Sequence, residues 1–466
     1  MFLEVVRAEG LNHLSYILGD GEQAAVIDPR RDCKLYIAIA NRYGAKITHI
    51  FETHRHEDFV VGSLELAHQV NAVIYHGRAL YFKYGEAVRE GDSFDFGSLI
   101  LKVLETPGHT PESISLAVMD KNYSDKAAAA VFTGDTLFIG DTGRIDLYPE
   151  RKQEMAGKLY DSIHKILLPL GDQAIIYPAH SKGLAYASNI SSREFSTLGY
   201  ERAYSPALQK NRKEFIKSKL KEAYYYAPYF RKMEHFNQDG IILVEKLPEP
   251  EPVNAKNFAS LISYKEMFVL DIRSPEAFAG GHISGSLNIH LAILSAYAGW
   301  FLPYDQTIGL IAEQDSDIEK ARIFLMRFGY DNISCYLAGG IRAWVTAEKP
   351  IESIPTTDVN KLHNHIKEKE SFMILDVRGN NDYCDLPSLQ SRRIWIGELP
   401  EKINNLPLDK KIITLCSNGQ CAATAASILK QHFGASPDIE IFLGTISIHT
   451  ALLQDQGKQI QSGLHQ

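Results

Sequence analysis

Thr53-His54-Arg55-His56-Glu57-Asp58 is the stretch on which the reading of this chain turns. It follows Ile47-Thr48-His49-Ile50-Phe51, an apolar, β-branched run of strand character, so two imidazoles and two acids fall in the loop that leaves a strand. Three further stretches repeat the arrangement. Pro107-Gly108-His109-Thr110 comes after the strand-like Leu99-Ile100-Leu101-Lys102-Val103-Leu104. Thr133-Gly134-Asp135-Thr136 closes another apolar run, and Tyr177-Pro178-Ala179-His180 continues Ala174-Ile175-Ile176. Each puts a nitrogen or oxygen donor just past a strand. Four such loops at one end of a sheet can converge on an ion, and imidazole with carboxylate suits a borderline divalent metal. A single histidine in a sequence is usually a core or surface residue; this ordered set is not read that way. Ala25-Val26-Ile27-Asp28-Pro29 reads as one more strand, and residues 120–130 as an irregular loop interrupting a hairpin.

Outward from these motifs, the 466 residues exceed what one core accommodates, so about three domains are expected. Hydrophobic residues make up 45% and charged residues 23%, the balance of a globular enzyme. A net charge of −8 argues against a nucleic-acid or anionic-membrane surface. No long uncharged apolar run predicts a membrane span. Met1-Phe2-Leu3-Glu4-Val5 carries an acid where a secretory leader has a basic segment. Five cysteines, an odd number, predict free thiols in a reducing cytoplasm rather than a disulfide framework.

Residues 191–245 read as charged helices with an aromatic cluster, Tyr224-Tyr225-Tyr226-Ala227-Pro228-Tyr229-Phe230, expected chiefly to pack those helices. Leu247-Pro248-Glu249-Pro250-Glu251-Pro252 reads as a stiff linker. Beyond it, Phe268-Val269-Leu270-Asp271-Ile272-Arg273 matches Met373-Ile374-Leu375-Asp376-Val377-Arg378, and each is followed by a further apolar strand and a helix. Two related parallel α/β domains are expected. The division is 1–245, a linker over 246–252, then 253–350 and 356–466.

The order T-H-x-H-x-D, P-G-H-T, T-G-D, Y-P-A-H resembles that of metallo-β-lactamase-fold enzymes over roughly the first half of the chain. Within them it looks most like the persulfide dioxygenases, relatives of the glyoxalase II thioesterases. The resemblance implies an αββα sandwich. Dinuclear members read T-H-x-H-x-D-H, and their last histidine helps to hold a second metal; here that position is Phe59. One ion is therefore expected. By the resemblance its ligands are His54, His109 and Asp135, a two-histidine, one-carboxylate set with open positions, as in non-haem Fe(II) oxygenases. His56, Asp58 and His180 would orient ligands and substrate. The sequence leaves His56 open as a ligand, and a trio of His54, His56 and His109 would look more like zinc. The family's G-R-x-D arginine contacts the thiol substrate. Arg144 takes that place, with Tyr177 a weaker candidate, against the plainer reading of an Arg144–Asp146 pair.

Leu270-Asp271-Ile272-Arg273-Ser274-Pro275-Glu276, Gly281-His282-Ile283-Ser284-Gly285 and Leu337-Ala338-Gly339-Gly340-Ile341-Arg342-Ala343-Trp344 resemble the rhodanese family. Its active-loop cysteine is missing: the loop reads Ala312-Glu313-Gln314-Asp315-Ser316-Asp317, too acidic for a persulfide anion. Cys335, on another strand, is read as a small buried residue. The last domain has eroded outer motifs, with no G-H-I-x-G after Arg378 and Leu443-Gly444-Thr445 in place of L-x-G-G. It keeps Cys416-Ser417-Asn418-Gly419 between a strand and a helix, where backbone N–H groups lower a thiol pKa. Cys416 is the expected sulfur carrier, and Cys421, where relatives often have arginine, a resolving thiol.

Together these resemblances imply an α/β multidomain enzyme like the bacterial persulfide dioxygenase–rhodanese fusions. It would hold one Fe(II) per chain and oxidise a low-molecular-weight thiol persulfide (glutathione, bacillithiol or coenzyme A type) with dioxygen to sulfite and thiol. The rhodanese domain would transfer persulfide sulfur, with thiosulfate as one product. A homo-oligomer is expected, and neither nucleic acid nor membrane as partner. The alternative is a glyoxalase-II-like zinc thioester hydrolase, its rhodanese domains a sulfur relay or oligomer scaffold.

Overall fold

The computed structural model describes residues 1–182, 190–193, 195–264, 267–368, 370–379, 391–434 and 436–444. The chain divides into two compact units, Met1–Leu247 with Met326–Gly329, and Pro248–Leu325 with the residues from Tyr330 on.

In the first unit, two six-stranded sheets run in chain order. One holds β1 (Phe2–Ala8), β2 (His13–Asp20), β3 (Gln23–Ile27), β4 (Lys46–Glu52), β5 (Val73–Gly77) and β6 (Glu86–Val88). The other holds β7 (Ser93–Phe96), β8 (Leu99–Glu105), β9 (Ile114–Asp120), β10 (Ser124–Gly134), β11 (Ile175–Pro178) and β12 (Ser196–Thr197). Successive strand side chains point to opposite faces. Leu14, Tyr16, Leu18, Ala25 and Ile27 accordingly enter one core with Leu101, Val103, Leu116 and Phe132 of the facing sheet. Ile17, Ala24 and Val26 point the other way, onto Tyr36, Ile39 and Leu66 of the outer helices Lys34–Arg42 and Ser63–Val70. The second sheet's outer face is covered by Met155, Ala156 and Leu159 of the helix Lys152–Asp161. Helices thus cover the outer face of each sheet and the inner faces pack together, the αββα layering that the resemblance implies.

Direction then places the site. β8 and β10 are both antiparallel to β9, and β11 is parallel to β10, so β8, β10 and β11 end at the same edge. The Ile114 N–H donates to the Thr53 carbonyl at 2.7 Å and ties the loop after β4 to that edge.

Two local expectations differ. Residues 120–130 are not a loop: Lys121–Tyr123 turn and the chain continues directly into β10, whose register against β9 shifts twice. Those irregularities let a polar, alanine-rich stretch pair without the clean alternation a regular strand shows. The expected linker also ends early, since Glu251 and Pro252 belong to β13 (Glu251–Val253). Pro252 is tolerated because β13 is an edge strand.

The second unit contains two five-stranded parallel sheets of the same order. In the first, β13 is followed in space by β17 (Ile333–Leu337), β16 (Thr307–Ile311), β14 (Met267–Asp271) and β15 (Leu287–Asn288). In the other, β18 (Thr356–Thr357) is followed by β22 (Ile439–Phe442), β21 (Lys411–Leu415), β19 (Phe372–Asp376) and β20 (Ser391–Arg393). The repeat extends to single bonds. Ile272 N donates to Ile311 O as Val377 N does to Leu415 O, and Ile289 N to Asp271 O as Ile394 N does to Asp376 O. Each Asp-x-Arg is a buried fork: Arg273 Nη2 donates to Asp271 Oδ2 and Arg378 Nη2 to Asp376 Oδ2, both at 2.6 Å. The segment after Gly379, Thr445 and the remaining C-terminus lie outside the described residues. No helix among the described residues is long and apolar enough to cross a membrane.

Leu101 is fully buried between the two sheets of the first unit. Leu101→Ala is expected to cost about 2–5 kcal/mol through lost burial and the cavity left behind. Chemical denaturation of wild type and variant, followed by the first unit's transition, measures it.

Candidate metal centre and sulfur-carrier loop

His54, His109 and Asp135 each offer one ligand atom, and the three atoms lie within 4.8 Å of one another, all on buried residues. The surroundings decide which atoms face inward. Thr53 Oγ1 donates to Asp28 Oδ2 at 2.7 Å, so its oxygen is left to accept from His54 Nδ1 at 3.0 Å. That bond fixes the proton on Nδ1 and turns the Nε2 lone pair toward the trio. His54 Nε2 is buried without a hydrogen-bond partner. An orphaned imidazole nitrogen inside a protein is costly unless something fills its place, and a metal ion does so. His109 is held in the same way: Nδ1 donates to the Arg144 carbonyl at 3.0 Å, and Nε2 lies 3.7 Å from Asp135 Oδ2. The donor set fits one metal ion.

Glycine permits the close approach. Gly134 has φ +50°, and a Cβ there would lie 2.5 Å from Thr53 Oγ1, the atom that fixes His54. Gly108, at φ +155°, lies against the backbone of Leu159, where a Cβ would come within 2.4 Å of its Cα. The glycines of the T-G-D and P-G-H-T motifs therefore let the ligand loops and the outer helix meet.

His56, Asp58 and His180 surround the trio without joining it. His56 Nε2 is 3.1 Å from Asp28 Oδ1. His180 bridges two acids, with Nδ1 on Asp135 Oδ1 at 2.8 Å and Nε2 on Asp58 Oδ2 at 2.9 Å. Burial disfavours its charge, but Asp135 and Asp58 outweigh burial and hold its pKa well above the ordinary value. As an imidazolium it donates to both carboxylates and leaves Asp135 Oδ2 for the trio. Phe59 is fully buried against the rings of His13 (4.2 Å between centroids) and His56 (4.7 Å).

Arg144 is buried, and its guanidinium forks onto Asp146, Nε to Oδ1 at 2.7 Å and Nη2 to Oδ2 at 2.9 Å. It also lies over Tyr224 (5.0 Å) and Phe230 (5.3 Å), so the aromatic cluster packs around this pair. Its backbone serves the site directly, through the His109 bond. Tyr177 packs between Tyr16 and Phe132 beside the core between the sheets.

Three residues of the centre escaped the sequence reading. Asp28 (φ 50°) anchors Thr53 and His56 together. Glu57 Oε2 lies 3.3 Å from His109 Nε2. His13, fully buried, has both nitrogens without a hydrogen-bond partner and contacts His56 and His180 edge-on. Burial foremost, then His180 and His56, lower its pKa well below the ordinary value. The only available signals were the strand-end position of Asp28 and the place of Glu57 inside the opening motif. His13 gives none.

In the second unit, Cys416 follows β21 and the helix Gln420–Phe433 begins four residues later. The Ala422 N–H donates to Cys416 Sγ at 3.3 Å, and Gly419 makes the turn at φ 87°. A hydrogen bond from Cys421 is the largest influence on the Cys416 thiol. With backbone N–H groups of Asn418, Ala422 and Gly419 it overcomes burial and lowers the pKa to about 7. In the first repeat Ala312 stands where Cys416 does, and burial raises the Cys335 thiol. Cys33, Cys335, Cys416 and Cys421 are all free thiols; the fifth cysteine, Cys384, lies outside the described residues.

The metallo-beta-lactamase superfamily matches residues 8–180, and the rhodanese-like domain matches 254–347 and again 358–444. A mitochondrial persulfide dioxygenase of Bos taurus is 31% identical over 214 residues, 44% of this chain and 74% of that protein. A hydroxyacylglutathione hydrolase of Rhizobium etli is 35% identical over 166 residues, 35% of this chain and 59% of that protein. Among solved structures, a metallo-beta-lactamase from Staphylococcus aureus aligns with a TM-score of 0.65 and 33% identity, over 72% of this chain and 99% of that one.

Two measurements test these centres. Thr53→Val removes the acceptor of His54 Nδ1 and is expected to weaken metal binding by about 10–100-fold, read by metal titration of a variant whose circular dichroism is unchanged. Because the Cys416 pKa is lowered, its thiolate should grow in as pH rises through about 7 and be lost below it. Ultraviolet thiolate absorbance, corrected with Cys416→Ser, reads the midpoint; Cys421→Ala should move it upward.

Proposed function

The chain belongs to the persulfide dioxygenase family of the metallo-β-lactamase superfamily, with two rhodanese-like domains after its catalytic domain, and we propose that it oxidises a low-molecular-weight thiol persulfide. The overall change is RSSH + O2 + H2O → RSH + SO3²⁻ + 2 H⁺. The observation that carries this reading is the three-ligand gathering of His54, His109 and Asp135 while His56 is on Asp28 and Asp58 is on His180. A bridged metal pair draws on those last groups; here His56 lies against the Asp28 carboxylate and Asp58 is hydrogen-bonded to His180.

Ferrous iron held by His54, His109 and Asp135 would supply the redox chemistry that brings dioxygen and the terminal sulfur together. The chain's own residues set the stage. Thr53 and the Arg144 carbonyl fix both imidazole tautomers. The His180 imidazolium holds Asp135 in one orientation and ties it to Asp58. Phe59 and Val60, both fully buried, keep that side of the centre dry. A cleft of about 260 Å³ reaches His180 between Leu14, Ile139 and Pro178. Arg7, Lys182 and Arg193 also line it, which suits a thiol carrier bearing carboxylate or phosphate. With Arg144 forked onto Asp146, these cations are the better substrate contacts.

In the last domain Cys416 is the sulfur carrier. Its persulfide passes the outer sulfur to sulfite, giving thiosulfate and restoring the thiolate. The N–H donors of the loop favour the anionic form at both stages.

The hydrolase relative keeps a second reading in view, a zinc thioester hydrolase. The two separate cleanly. Oxygen uptake with glutathione persulfide is expected in protein loaded anaerobically with Fe(II), at one iron per chain. His109→Ala should abolish it. Uptake surviving that change, or oxygen-independent hydrolysis of S-lactoylglutathione by the zinc-loaded protein, would refute the dioxygenase reading.

A further inference from the structure

The loop that carries Cys416 holds a second thiol, and its position gives it a different role from the arginine often found there. Cys421 sits in the first turn of the helix Gln420–Phe433, half-exposed, while Cys416 is buried. The next residue, Ala422, donates its N–H to Cys416 Sγ at 3.3 Å, so the Cys416 sulfur lies against the turn that carries Cys421. Cys421 is also the largest influence on the Cys416 thiol.

The loop is also braced. Gln420 N donates to Asn418 Oδ1 at 3.3 Å, and Asn418 Nδ2 donates to Gln420 Oε1 at 3.2 Å. Gln420 Nε2 meets Nδ1 of His290, from the cysteine-less repeat, at 3.0 Å. Further along the helix, Ser427 Oγ accepts from Asn288 N at 3.1 Å and Gln431 Nε2 donates to Gly285 O at 2.8 Å. The first repeat thus holds the helix that presents Cys421.

We propose that Cys416 and Cys421 form a dithiol pair that releases carried sulfur as hydrosulfide, a second exit from the loop besides transfer to an acceptor. This rests on Cys416 being the carrier. The Cys421 sulfur attacks Cys416 Sγ, the Sγ–S bond of the persulfide breaks, and the outer sulfur departs: Cys416–S–SH + Cys421–S⁻ → Cys416–S–S–Cys421 + HS⁻. No outside oxidant is needed, because the sulfane sulfur is itself reduced as the two thiols are oxidised. A low-molecular-weight thiol, in two exchanges, returns the pair to the reduced state: disulfide + 2 RSH → two cysteine thiols + RSSR. The loop therefore works as a persulfide reductase when sulfite is scarce and free thiol abundant.

The test uses the full-length protein, anaerobic so that no oxygen consumes the probe, given glutathione persulfide and then freed of excess reagent. Peptide mass spectrometry after thiol blocking, together with a sulfide assay, reads the result. Expected are a Cys416–Cys421 disulfide and one hydrosulfide per loop in wild type. Cys421→Ser should lose both and retain one extra sulfur on Cys416; Cys421→Ala repeats this should the serine variant fold poorly. A wild-type protein that keeps the extra sulfur on Cys416 beside an unmodified Cys421, or carries it on Cys421, overturns the dithiol proposal and leaves the carrier reading standing. A Cys416 that never takes up sulfur overturns both.

Discussion

The structure of the first unit depends on one constraint: several imidazoles and carboxylates are buried together, and each must have a fixed partner. A charged or polar group taken out of water is strongly unfavourable unless hydrogen-bonded or paired. The folding problem around the metal is therefore one of assigning partners. Asp28 receives Thr53 and His56; Asp58 and Asp135 share His180; the Arg144 carbonyl takes His109. Those assignments leave His54 Nε2 without a partner and bring it within 4.8 Å of the ligand atoms of Asp135 and of His109, whose Nε2 meets Glu57. The ligands are selected by what their neighbours have already claimed as much as by their own type.

This explains why one part of the centre was legible in the sequence and another was not. The motif residues lie just past apolar strands, and strand direction brings such ends to a common edge, so His54, His109, Asp135 and His180 could be found by position alone. Partner choice has no such signature. Nothing in the spacing of Asp28 says that it sits at the end of β3 beneath Thr53, and Arg144 looks equally apt for a substrate carboxylate or for Asp146, two residues away. His13 is the extreme case, because its neighbours His56, Phe59 and His180 come from remote stretches of chain.

The fold followed a similar line. Strands read clearly where apolar residues run together, as in β3, buried on both faces, and β8, and the Asp-x-Arg repeat identified two domains of one architecture. Misreadings fell where composition and hydrogen bonding part company. The run from Ser124 to Ala130 lacks large apolar residues yet pairs with β9 at Ser124, Ala128 and Ala130, and Pro252, a residue that interrupts sheets, survives in β13 because only an edge strand can spare its donor.

The bond-for-bond repeat in the second unit has a wider consequence. Ile289 and Ile394 donate to equivalent aspartates, so the residues that follow them, His290 and Trp395, occupy matching places in the two copies. Yet His290 reaches the thiol loop of the other copy, while Trp395 stacks edge-on against Trp300 at 4.6 Å. The two copies share one architecture, but equivalent positions make unlike contacts. The copy with Ala312, which has no thiol at that place, instead braces the loop and helix of its sibling that carry Cys416 and Cys421, so the two copies share one thiol site between them.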